Sequence, residues 1–276
     1  MARKTSFYYS FLVLPADQRR AILAVWDFCR AVDDAVDESP IGAEGKATGR
    51  EAVAFWRAEL ARCFESSAPG SEPQSRQGRA LQPFVTRFDL PRQAFEDVID
   101  GVAMDLDTTR YETFADLLEY CRRVASAVGM ISIKVFGCQS DRARDYALHL
   151  GLALQLTNII RDLSEDLARD HLYLPLEDLR RFDCTVDDLA SGVMTEPVLR
   201  LIEFECHRAR EFYRHAAEAL PAEDRGRLVA AEIMRAVYSE TLNRIELRGY
   251  DVFNTRLRVP RPTQAAIALR QWLWRR

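Results

Sequence analysis

An all-α fold follows from three features of the sequence. Helical periodicity runs through nearly the whole chain, alternating strand patterns are almost absent, and glycine is scarce, 12 in 276 residues. Apolar residues make up 48% and charged residues 29%, the balance of a globular protein with a sizeable core. The part of the chain before the Ser-, Pro- and Gly-rich stretch 66–78 holds only two or three helices, too few to close a core alone, so residues 1–276 are read as a single domain. Lys plus Arg is 38 and Asp plus Glu is 42, a net charge of −4 without a basic run, which argues against nucleic acid as a partner. Cysteines 29, 63, 121, 138, 184 and 206 form no C-x-x-C pair and read as reduced thiols of a cytoplasmic protein. Phe7 to Leu14 is apolar but short and is closed by Pro15, so neither a signal peptide nor a membrane span is expected.

The elements follow in order. Asp17, just after Pro15, starts a helix that runs to about Glu38, before Pro40. A second covers about 46–65, and the Ser-, Pro- and Gly-rich stretch 66–78 reads as a surface loop. Further helices are expected near 80–88, 93–105, 114–136, 141–168, 185–191, 197–219, 224–249 and 263–276, about ten in all. Tyr111-Glu-Thr-Phe reads as a turn entering a helix, and Pro91, Pro175, Pro197, Pro221, Pro260 and Pro262 fall between helices, where proline starts or breaks them. The stretches 114–136 and 141–168 are apolar on most faces, as helices in the middle of a bundle are.

Charges inside such helices are informative, because burying them is unfavourable unless they are paired or bind something. Two clusters stand out: Arg30-Ala-Val-Asp33-Asp34-Ala-Val-Asp37-Glu38, and Gln155-Leu-Thr-Asn158-Ile-Ile-Arg161-Asp162-Leu-Ser-Glu165-Asp166. Both contain D-x-x-x-D, Asp33/Asp37 and Asp162/Asp166, which stacks two carboxylates one turn apart on one face. Asn158 extends the second row by one more turn. Like charges at this spacing oppose the helix by about 0.2–0.5 kcal/mol. A few hard oxygen ligands of this kind suit Mg²⁺, which keeps waters and bridges to phosphate oxygens. The bland alternative, a solvated acidic helix end, fits the first cluster better than the second, which is surrounded by leucine and isoleucine. The four histidines show no metal spacing, and no Gly-rich nucleotide loop occurs.

Ser6-Phe-Tyr-Tyr-Ser-Phe-Leu-Val-Leu-Pro15, Phe28-Cys-Arg-Ala-Val-Asp-Asp-Ala-Val-Asp-Glu38, the second cluster, and Leu172-Tyr-Leu-Pro175 resemble, in order, the motifs of the squalene/phytoene synthase family. Tyr250-Asp-Val-Phe253 resembles its last helix. Within the family the resemblance is nearest to the presqualene diphosphate synthases of bacterial hopanoid pathways. It implies an isoprenoid synthase helical bundle with a central cavity, in which two farnesyl diphosphates are joined head to head with Mg²⁺. In the absence of a nucleotide motif for a reductive step, the expected product is presqualene diphosphate, passed to a downstream hydroxysqualene synthase. Phytoene, dehydrosqualene or hydroxysqualene synthesis, and a non-catalytic relative, are the alternatives.

The resemblance also implies residue roles. Asp33, Asp37, Asp162 and Asp166, with Asn158, are expected to hold Mg²⁺. Arg30 and Arg161 are expected to contact diphosphate, as are Tyr120 and Tyr250, while Gln155 matches a cavity position. Phe7, Trp26, Val124, Val128, Gly129, Leu148, Leu152 and Leu156 are expected tunnel walls, with plain core packing as the alternative for each. Asp34 and Glu165 are expected to point elsewhere. Two departures stand out: Trp26 replaces a tyrosine, and Asp170-His171 replaces a Gly-Arg pair. The amphiphilic end, Arg270-Gln-Trp-Leu-Trp-Arg-Arg276, reads as a helix packed on the bundle, with peripheral contact at the inner membrane face as the alternative.

Overall fold

The computed structural model describes residues 8–37, 43–65, 72–254 and 257–273. Phe7 lies outside them. Helices come in the order α1 (Tyr8–Phe11), α2 (Ala16–Asp37), α3 (Ala43–Glu65), α4 (Arg76–Arg87), α5 (Arg92–Met104), α6 (Phe114–Cys121), α7 (Ala127–Phe136), α8 (Arg142–Leu167), α9 (Leu176–Arg181), α10 (Val186–Ala190), α11 (Glu196–Ala219), α12 (Val229–Glu246) and α13 (Arg261–Leu273). A π-helical turn, Arg122–Ser126, joins α6 to α7, and a 3₁₀ turn, Ala222–Asp224, precedes α12. Among the described residues the only β-type pairing is an isolated bridge between Arg110 and Leu172.

Local chemistry sets the boundaries, and at several places it corrects the expected ones. The Ser75 hydroxyl accepts the Gly78 N–H at 2.9 Å and starts α4 earlier than expected. Thr113 and Asp116 form a capping box that starts α6, so Tyr111-Glu-Thr-Phe is indeed a turn into a helix. Gly137, at φ 74°, ends α7 in the left-handed conformation. Asp224 does not start α12. Its buried carboxylate accepts the backbone N–H groups of Gln139 at 2.9 Å and Ser140 at 2.8 Å, and an Arg227 bond at 2.9 Å, so it pins the α7–α8 connection.

The helix expected over 114–136 is interrupted because two neighbours press on it. A Cβ on Gly151 of α8 would lie 2.6 Å from Ser126 Cα, and one on Gly101 of α5 would lie 2.7 Å from Val124 Cγ1. The wider π turn occupies that space between α5 and α8. Gly129 has the same explanation: a Cβ there would sit 2.9 Å from the Ala147 carbonyl oxygen, so close packing of α7 on α8 requires glycine. Helix α8 packs most extensively on α11. On the other side, Phe28 of α2 meets Trp56 of α3 and Phe95 of α5 edge-on, with ring centroids 5.3 and 5.8 Å apart.

Candidate active site

A cavity of about 1430 Å³ lies between α2, α5, α6–α7, α8, α12 and the start of α13. Its mouth is lined by Arg30, Asp33 and Asp37 from α2, and by Asn158, Arg161, Asp162 and Asp166 from α8. The helical spacing thus brings both D-x-x-x-D clusters to one opening. Farther in, Val25, Val98, Val102, Val124, Val128 and Leu154 make the wall apolar, with Trp26, Gly129 and Gln155 also lining it. Leu148, Leu152 and Leu156 do not line it, contrary to expectation. They lie beyond Gln155 around α8, on the side away from Asn158, and Leu152 and Leu156 are buried in the core. Glu165, expected to point elsewhere, is exposed at the mouth.

The mouth is electrostatically unfinished. Asp33 is open to water yet enclosed by protein on the wider scale. Burial, then the charges of Asp37 and Asp34, push its carboxyl up to about 7. Asp166 is pushed up to about 7 by burial and then by Asp162. Neither side chain accepts a hydrogen bond from any described residue. Asp37 meets Arg169 at 3.3 Å. Arg161 forks onto Asp162, with Nε 2.7 Å from Oδ1 and its second nitrogen on Oδ2, and it also bonds Tyr238. Arg30 meets Asp34 at 3.4 Å, and Asp34, as expected, does not line the cavity.

These residues fit a divalent cation. Asn158 Oδ1 is buried and has no hydrogen-bond partner, while its Nδ2 is 3.4 Å from Gln155 Oε1. Two carboxylates without donors, Asp33 from α2 and Asp166 from α8, and the orphaned amide oxygen of Asn158 line one cavity and form a hard-oxygen donor set. Among the described residues no three His, Cys, Asp or Glu side chains converge into a cage. Mg²⁺ takes one or two carboxylates and completes its shell with water and phosphate oxygens.

Deeper on the α6 side, the Tyr120 hydroxyl donates to Asp105 Oδ2 at 3.0 Å and the Tyr173 hydroxyl to Asp105 Oδ1 at 3.1 Å. The two rings stack with centroids 5.1 Å apart. Burial pushes Asp105 up to about 8 in spite of both phenol donors. Burial and Asp105 hold the Tyr120 hydroxyl well above the phenol range, so it stays protonated. Asp105, Tyr120 and Tyr173 all line the cavity.

Tyr250 is not brought to the site. It sits at φ 64° after α12, and its hydroxyl donates to Glu203 at 3.3 Å. The cavity tyrosine of this region is Tyr238, in the middle of α12, which contacts Arg161 and Asn158. Asp170 takes φ 61°, the left-handed conformation for which a glycine at that position is suited. Its carboxylate is held by Arg110 at 2.6 Å, so loop order here comes from Arg110, and His171 packs beside Tyr173. Sequence reasoning missed Asp105, Tyr173, Arg169 and Tyr238 as site residues. Only Tyr173 had a signal, its place in Leu172-Tyr-Leu-Pro175.

Comparison with known proteins gives the following. The family model described as squalene/phytoene synthase matches residues 1–263. The chain is 35% identical over 280 residues to 15-cis-phytoene synthase of Synechocystis sp., covering 97% of this chain and 80% of that protein. It is 34% identical over 251 residues to presqualene diphosphate synthase of Zymomonas mobilis, covering 90% and 82% respectively. The crystal structure of a dehydrosqualene synthase in complex with a ligand superposes with a TM-score of 0.83 at 26% identity, covering 98% of this chain and 92% of that one.

Proposed function

Because this chain belongs to the squalene/phytoene synthase family, whose members are prenyltransferase-type enzymes, we propose that it joins two farnesyl diphosphates head to head to presqualene diphosphate. The observation that carries this reading is the pairing of an unsatisfied carboxylate mouth with an apolar cavity. At about 1430 Å³ the cavity exceeds the ~300–1,000 Å³ usual for one small ligand and has room for two prenyl chains.

The chemistry starts when the C1–O bond of the first substrate breaks and its electron pair leaves with diphosphate. The C2–C3 double bond of the second substrate attacks the allylic cation, and loss of one proton closes the cyclopropane. Mg²⁺ bound by Asp33, Asp37, Asp162, Asp166 and Asn158 would supply charge neutralisation of the diphosphates. Arg30 and Arg169 add positive charge at the same mouth. Arg161 holds Asp162, and so acts on the diphosphate through that carboxylate or by exchanging it for phosphate oxygens. The valine-lined interior excludes water from the cation, and the faces of Trp26, Tyr120 and Tyr173 favour positive charge beside them. Tyr120, fixed by Asp105, presents a neutral hydroxyl at the border between the polar mouth and the apolar interior.

A second reading, phytoene synthesis from the C20 diphosphate, is supported by the phytoene synthases among the relatives. The phytoene synthase at 35% identity and the presqualene diphosphate synthase at 34% do not separate the two branches. The test is product analysis with each prenyl diphosphate and Mg²⁺, with and without NADPH. Presqualene alcohol released from the farnesyl reaction only after phosphatase treatment supports the first reading. Phytoene from the C20 substrate alone overturns it, and squalene appearing with NADPH makes the enzyme a complete squalene synthase.

A further inference from the structure

Charge is distributed unevenly along this chain. Residues 252–276 contain six arginines and no aspartate or glutamate, so residues 1–251 carry −4 − 6 = −10. Helix α13 lies in this basic segment and has two unlike faces. Gln264 and Ala268 are buried, and Gln264 lines the cavity while its Nε2 donates to the Val259 carbonyl at 2.8 Å. On the outer side Leu269 is 57% exposed, Leu273 51% and Trp272 39%. Leu269 and Leu273 are one turn apart, with Arg270 exposed between them. Helix α1 packs against α13, and Leu12, just after α1, is 45% exposed. Single exposed leucines are ordinary, but a row of them with tryptophan, set in an all-basic segment, is the composition of a helix that lies in a lipid interface.

We propose that the outer face of α13, with Leu269, Trp272 and Leu273, docks on an anionic lipid bilayer. Arg270, exposed beside the leucines, supplies attraction to acidic headgroups, and the leucine row enters the acyl boundary. Helix α13 is then the single layer between cavity and membrane, touching the cavity through Arg261 and Gln264. A long apolar product can pass beside it into lipid without crossing water. This release step rests on the proposed reaction, whereas docking does not, and the test therefore uses no prenyl substrate.

The full chain is sedimented with vesicles of phosphatidylcholine alone and of phosphatidylcholine mixed with phosphatidylglycerol. Binding to the mixed vesicles is expected to be tighter by at least about tenfold and to weaken with salt. Arg270→Gln should lower it roughly fivefold, the worth of one interfacial arginine. The double change Leu269→Gln/Leu273→Gln should lower it about tenfold or more, with helical circular dichroism unchanged because both side chains are exposed. Equal binding to both vesicle types, no binding to either, or full binding by the double variant overturns the proposal. So does a dimer, seen by light scattering, that the double variant disperses while vesicles bind neither protein; that result assigns the face to a second copy of the chain.

Discussion

Two sets of acidic side chains in this protein have opposite surroundings. Glu59, Asp224 and the Asp178–Glu205 pair are buried in the bundle, and each accepts at least one hydrogen bond from a fixed donor. Glu59 accepts the N–H groups of Gln74 at 2.9 Å and Ser75 at 2.6 Å, and an Arg62 bond at 2.9 Å. Arg208 reaches both Asp178 at 2.7 Å and Glu205 at 2.9 Å, with its guanidinium over the Phe114 ring. At the cavity mouth Asp33 and Asp166 have no such donors and face carboxylates one turn away. The first set holds the chain together. The second opposes folding unless a cation arrives, which is the mark of a site kept for a ligand.

The largest effect that would sharpen this contrast is on turnover. Asp162→Ala or Asp166→Ala should lower the rate of diphosphate release from the prenyl substrate by about 10³-fold or more, the scale of losing charge stabilisation in an enclosed site. Circular dichroism should remain that of the wild type. Asp224→Ala should do the reverse. It strands two backbone N–H groups, each worth about 1–3 kcal/mol when left unpaired, so a loss of about 3 kcal/mol is expected in urea unfolding, while the activity of the folded fraction is unchanged. Wild-type activity in the Asp166 variant would break the comparison.

Asp105 stands between the two sets, because it accepts fixed donors like a structural acid yet lines the cavity. Asp105→Asn keeps the size but reverses part of the donor pattern that fixes Tyr120 and Tyr173. A fall of about tenfold or more in kcat with little change in KM is expected, as for loss of one general acid–base or positioning group. Arg30→Lys should show the smallest effect, a rise of a few-fold in KM, since lysine keeps the charge but loses the planar fork.

Glu59 and the mouth acids should also differ in pH dependence, whereas Glu205, pushed up to about 8 by burial, titrates in the same sense as the mouth acids. Burial and the neighbouring carboxylates push Asp33 and Asp166 up to about 7, well above the ordinary carboxylate range. The folded state therefore holds these protons more tightly than the unfolded chain. Their contribution is fully present below about pH 4 and is lost as pH rises through 7. Glu59, lowered by its donors against the pull of burial, contributes stability in the opposite sense, lost as pH falls through its folded pKa. In EDTA, lowering the pH from 8 toward 6 should thus raise the melting temperature of the wild type relative to an Asp33→Asn/Asp166→Asn variant. The stabilisation by Mg²⁺ with inorganic diphosphate should be greater at pH 8.

Much of this was legible in the sequence because it depends on short-range spacing. The i,i+4 rows Asp33/Asp37 and Asn158/Asp162/Asp166 fix which side chains share a face, and the surrounding apolar residues fix which helices are central. Asp105 was hidden because its meaning comes from two tyrosines 15 and 68 residues away. Tyr238 and Tyr250 lie twelve positions apart, one inside α12 and one just after it, and only the left-handed turn at Tyr250 shows which of them faces the cavity. The π turn was invisible because it is imposed from outside, by the close approach of Gly101 and Gly151.

The melting temperature of Asp33→Asn, beside the wild type, in EDTA and then with Mg²⁺ and inorganic diphosphate, tests the central claim most directly. The substitution removes a repelling charge and leaves a side chain of the same size. The account predicts that the variant melts at or above the wild type in EDTA and gains less than the wild type from Mg²⁺ and diphosphate. A variant that melts well below the wild type in EDTA, yet gains as much from Mg²⁺ and diphosphate, would contradict it and return Asp33 to the structural acids.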